Sequence, residues 1–251
     1  MRGIRARILM GCVGLAMVAP ALAATATMPA KPGEYAALEK LPDWTGLWTP
    51  DFSGISQSRN AVPVLQPAAA KALADFNAAK STGKNTQTQL ANCVPPGMPQ
   101  IMRMPYPMEF AFTLGKIVLV IETESQVRHI YADGRPLPED PDPYFNGWSI
   151  GHWEGDTLVV DTIGLNPKVS LVEGVHPTEK TKIQERMRLI EKNKLQIVTT
   201  ISDPDVFAQP FVLTTNYARR RDWQIKEYVC QENNHDAADE FGRPTFELEK
   251  K

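Results

Sequence analysis

The chain predicts a mainly β fold: an antiparallel meander closed into a barrel, with a single helix on its surface near the N-terminus. Three observations carry this expectation. After residue 107 the sequence is a succession of short alternating or apolar runs, the spacing of strands. Turn residues punctuate them, at Gly115, Asp133-Gly134, Gly155-Asp156, Asn193 and Asp222. No helical pattern lies between the runs, which argues against the alternating units of a parallel α/β sheet. A sandwich would satisfy the same pattern, but closure removes exposed strand edges and favours the barrel.

The first residues carry a different signal. Arg2, Arg5 and Arg7 precede an apolar stretch from Ile8 to Ala19, and Ala21-Leu22-Ala23 has the small-x-small form of a cleavage site. This pattern predicts a secretory signal peptide over 1–23, too short for a membrane span. A lipoprotein signal ending at Cys12 would leave almost no apolar segment before the cysteine. Cleavage after Ala23 leaves 228 residues and a net charge of −5, since it removes three of 27 basic residues and none of 29 acidic ones. That balance offers no electrostatic footprint for nucleic acid or anionic lipid. No later apolar run approaches membrane-spanning length, so no membrane insertion is expected after cleavage. The location expected is periplasmic or secreted.

The mature chain then divides into a loose Ala/Pro-rich arm at 24–40, a barrel domain at 41–233 and a tail at 234–251. A first strand is expected at 43–49. The helix is expected at 66–80, with Pro67 in the first turn and a thin apolar side of Leu73 and Phe76. Residues 93–107 hold Pro95, Pro96, Pro99, Pro105 and Pro107 and exclude regular structure. Strands follow at 108–114, 116–123, 126–132, 147–153, 157–163, 182–190, 195–201, 211–218 and 224–230. Cys93 and Cys230, the two cysteines left after cleavage, are most simply a disulfide in an oxidising compartment, with two separate buried thiols as the alternative.

Two resemblances bear on the fold. The run Trp153-Glu154-Gly155-Asp156-Thr157-Leu158-Val159-Val160-Asp161-Thr162 resembles the mark of a large group of secreted bacterial proteins without an assigned activity. Pro95-Pro96-Gly97-Met98-Pro99, Asp133-Gly134-Arg135, Glu185-Arg186 and Asp203-Pro204 are similar to further parts of it, over roughly 93–233. Gly46-Leu47-Trp48 is similar to the G-x-W of lipocalins and implies a calycin-like barrel.

Several constellations can carry chemistry. A tight turn at Gly155-Asp156 pairs Trp153 with Leu158 and His152 with Val159. His152, Glu154 and Asp161 then share a polar face, either solvated or lining a cavity. Glu185 sits on the apolar face of its strand with Ile183 and Met187, where a carboxylate must be paired or placed in a cavity. Arg128 and Arg135 are its candidate partners; the functional alternative is a general acid or base. His176 lies in a loop just upstream, where binding residues collect. His176, Glu185 and Tyr131 together would suffice for cofactor-independent lyase, isomerase or hydrolase chemistry. Gly147-Trp148-Ser149-Ile150-Gly151 matches G-x-S-x-G, but no helix follows to build a nucleophile elbow. Met98, Met102, Met104 and Met108 suit a barrel plug better than a copper site. The histidines have no zinc-ligand spacing, no phosphate-cradling loop is present, and no cofactor is implied. The sequence thus points to a small apolar or aromatic molecule held inside the barrel. Met108, Phe110, Phe112, Trp148 and Trp153 would be its walls, with Arg128, Arg135, His152 and Asp161 as orienting polar groups. It leaves the oligomeric state open.

Overall fold

The computed structural model describes residues 34–51, 61–82 and 93–230. The expected signal peptide, the start of the arm and the tail lie outside these residues. Within the described part of the arm, Glu34–Lys40 forms a 3-10 helix.

Nine strands close into a single barrel in chain order. They are β1 (Leu47–Pro50), β2 (Met108–Thr113), β3 (Lys116–Ile121), β4 (Gln126–Tyr131), β5 (Trp148–Glu154), β6 (Thr157–Ile163), β7 (Lys182–Glu191), β8 (Lys194–Ser202) and β9 (Phe211–Arg220). The meander is antiparallel except at one junction, where β4 and β5 run parallel. The 16-residue connection between them, 132–147, supplies the crossover a parallel pair requires.

The ring is closed by β1 pairing with β9 from Leu47↔Arg220 to Pro50↔Tyr217. Arg219 stacks over Trp48 at 4.6 Å and pairs with Asp43 at 3.0 Å, fixing the junction by side chains as well. This closure corrects the expectation of a strand at 224–230. With β9 already on β1, no sheet edge remains to accept another strand. The segment instead runs back over the β3–β4 connection, where Glu122 accepts the Lys226 N–H and Ser125 donates to the Tyr228 carbonyl.

Hairpin β5–β6 has the expected register, His152↔Val159 and Trp153↔Leu158. Gly155, with φ of +64°, takes the left-handed position of its two-residue turn. Strand β7 turns Ile183, Glu185 and Met187 inward, as its alternation requires. The interior is one packed cluster to which β2, β3, β6, β7, β8 and β9 all contribute. Met98, Met102 and Met108 belong to it. Phe110, Phe112 and Trp153 meet Trp44 edge-on, with ring centroids 4.9, 5.8 and 5.5 Å away. Helix α1 (Pro67–Ser81) lies on the surface, with Leu73 packed against the core and Lys80 paired to Glu173.

Cys93 and Cys230 form a disulfide across 137 residues. It ties the proline-rich segment ahead of β2 to the chain beyond β9. In the chain-entropy account a loop of that size stabilises by about 5 kcal/mol. The double variant Cys93→Ser/Cys230→Ser is expected to lose about 2–5 kcal/mol of unfolding free energy in urea while keeping the β signature in circular dichroism. An unchanged urea midpoint would contradict that role.

Candidate functional site at the parallel seam

Strand β4 alternates Val127 and His129 outward with Arg128 and Ile130 inward. It meets β5 at only two paired positions, Ile130↔Ser149 and Tyr131↔Ile150. Gly151 permits this approach, since a Cβ there would lie 2.8 Å from Ile130 Cγ2. Gly147 has a similar reason, as its Cβ would fall 2.7 Å from the Ile163 carbonyl oxygen. Both glycines of the G-x-S-x-G run are therefore set by packing, and β5 continues through Ser149 as a strand.

Ahead of the paired positions the chain on the β5 side is drawn away, because Tyr144 bonds instead to Gly164 and bridges Leu165. A cleft of about 390 Å³ opens between the two sides, lined among others by Arg128, Tyr131, Tyr144, Asn146, Trp148 and Ser149. Asn146 reaches across it, its Nδ2 donating to Gln126 Oε1 at 3.3 Å and to the Val127 carbonyl at 3.4 Å. A second cleft of about 370 Å³ is lined by Tyr131, Trp148, Ser149, Arg135, Leu137, Pro138 and their neighbours. The two share Tyr131, Trp148 and Ser149, so they adjoin along the seam. Their aromatic wall is ordered: Trp148 donates its indole N–H to the Asp142 carbonyl and packs on Tyr144 at 5.3 Å. Arg135 lies 4.0 Å over the Tyr131 ring while pairing with Asp133.

Directly behind this wall is a buried polar network. Arg128 is 1% exposed and Glu185 0%. Arg128 Nη2 donates to Glu185 Oε2 at 2.5 Å and to Thr162 Oγ1 at 3.0 Å. Nε and Nη2 both reach Ser149 Oγ, at 3.3 and 3.2 Å, and Ser149 and Thr162 hydroxyls lie 2.9 Å apart. One guanidinium thus ties β4, β5, β6 and β7 together across the seam, a task suited to its planar fork. Arg128 Nη1 and Glu185 Oε1, though buried, make no hydrogen bond. Burial and the neighbouring Glu185 carboxylate push the Tyr217 phenol well above its ordinary value, so it remains a donor, to the Met102 carbonyl. No family model and no curated protein matches the chain.

Of the residues singled out from the sequence, Arg128, Arg135, Tyr131 and Trp148 meet at the seam, with Glu185 beneath them. Of the two partners considered for Glu185, Arg128 takes the place and Arg135 pairs outside. His176 is exposed, bonds the Val169 carbonyl through Nδ1 at 2.8 Å, and shares no hydrogen bond or ion pair with Glu185 or Tyr131. His152 faces solvent beside Glu154 at 3.2 Å, and Asp161 accepts from Gln184 rather than from His152. Phe110, Phe112 and Trp153 lie with Trp44, away from the seam. Sequence reasoning missed Tyr144, Asn146 and Thr162. Thr162 had a readable signal, the inward parity of Leu158 and Val160. Tyr144 and Asn146 sit in a connection with no period to read. Among the described residues no group of three His, Cys, Asp or Glu side chains is placed to hold a metal ion.

Removing one member of a buried pair strands the other. Arg128→Ala or Glu185→Ala alone is therefore expected to destabilise by about 3–5 kcal/mol in urea unfolding. The double variant Arg128→Met/Glu185→Leu should lose much less than the sum. Additive losses would show that the two do not act as a pair.

Proposed function

We propose that the protein is an exported β-barrel that holds a small apolar or aromatic molecule, seated in the groove along the β4–β5 seam. The observation that carries this is the groove itself, where Tyr131, Tyr144 and Trp148 form an aromatic wall in front of a buried polar network. Each adjoining cleft, at about 390 and 370 Å³, falls within the range of small-molecule sites, about 300–1,000 Å³. The combination of apolar lining and a few fixed polar groups is what such sites share. The seat differs from the interior position expected from sequence, where core side chains such as Trp44, Leu119, Met187 and Tyr217 pack together.

Export is supported by the tripartite N-terminal pattern and by the Cys93–Cys230 disulfide, which persists in oxidising compartments. Among the described residues no helix is long and apolar enough to cross a membrane. Kinship with the secreted bacterial group marked by the Trp153-to-Thr162 run belongs to the same proposal.

Native mass spectrometry of the protein exported to a bacterial periplasm, set against its denatured mass, tests the reading. An added non-covalent mass is expected in the wild type and lost in Trp148→Ala. A bare polypeptide from wild type, or an added mass untouched by Trp148→Ala, would refute the seam as the seat.

A further inference from the structure

Resting on the seam groove as the binding site, we infer that its ligand is a neutral aromatic molecule bearing a hydroxyl group, a phenol whose oxygen bridges Arg128 Nη1 and Glu185 Oε1. The Arg128–Glu185 ion pair is incomplete. Arginine and carboxylate commonly meet through two parallel hydrogen bonds. Here only Nη2 and Oε2 meet, and the neighbouring Nη1 and Oε1 are buried without a partner. A buried polar atom left unpaired destabilises the fold, the more so when it belongs to a charged group. One ion pair therefore carries one donor and one acceptor that are both unmet by the protein.

A hydroxyl is the smallest group that accepts from the first and donates to the second. Charge selects against the alternatives. Arg128 and Glu185 balance one another, so a carboxylate or ammonium on the ligand would add an uncompensated charge at a buried position. A ring without a hydroxyl would leave both atoms as they are. The aromatic part follows from Tyr131, Tyr144 and Trp148 in front of the pair. Access is by way of Arg128, which lines the cleft beside Ser149 and bonds to it; Glu185 lies one hydrogen bond behind, and only two paired positions hold β4 to β5 there.

Titration of the mature, disulfide-bonded protein with p-cresol, 4-methylanisole, toluene and p-hydroxybenzoate, followed by ¹H–¹⁵N NMR, separates the claims. The Trp148 indole N–H is expected to shift saturably, with p-cresol binding at least about tenfold more tightly than the other three. In Arg128→Met/Glu185→Leu, the preference for p-cresol over 4-methylanisole should vanish while toluene still binds. Equal affinities for p-cresol and 4-methylanisole in the wild type, or a preference that survives in the double variant, would overturn the hydroxyl bridge and leave the groove standing. Tighter binding of p-hydroxybenzoate would overturn the claim of neutrality. No perturbation of Trp148 by any of the four would overturn the groove reading as well.

Discussion

A closed ring of strands taken in chain order can alternate direction at every junction only if their number is even. This barrel has nine, so one junction must be parallel, and it falls between β4 and β5. Much else follows from that. The crossover at 132–147 exists to bring the chain back to the same end, and its prolines and aromatic residues become the wall of the groove. The parallel pairing covers two positions, whereas β7 and β8 pair along almost their whole length. The β1–β2 junction is as short, also two positions, so the ring is weak at two places, and the one between β4 and β5 opens on the groove.

The Arg128 network answers that weakness with side chains in place of a backbone ladder. One buried guanidinium reaches Ser149, Thr162 and Glu185, so four consecutive strands share a single cation. Burying a charged pair is no bargain in free energy beside an apolar core. Its retention here coincides with a place where the ladder is short and where a polar base under an aromatic groove gives a ligand orientation. The same residues thus serve the scaffold and the proposed site.

How much of this was legible depended on how local each feature was. The β5–β6 register could be read from Gly155-Asp156, because a two-residue turn fixes the pairing that follows it. The inward Glu185 could be read from the parity of Ile183 and Met187. The seam could not, and one segment explains why. Residues 224–230 contain the strand formers Ile225, Tyr228 and Val229, and counting them gives ten strands, an even ring with no parallel junction. Only the pairing of β9 with β1, a contact between the ends of the chain, shows that no edge is left for a tenth. With the parity off by one, the groove is not legible in the sequence, which points to the interior instead. The residues of the secreted-group run lie largely in the β5–β6 hairpin, where Trp153, Gly155 and Leu158 shape turn and core. A motif of that kind speaks to scaffold more than to site.

On the function proposed above, the β4–β5 seam is where the barrel opens and a ligand sits. Native-state amide hydrogen exchange on the mature, disulfide-bonded protein tests it directly. The backbone amides of Tyr131 and Ser149 are predicted to exchange faster than those of the β7–β8 ladder, such as Met187 and Ile197, and to slow when p-cresol is bound. Seam amides as protected as those of β7 and β8, and indifferent to added p-cresol, would contradict it.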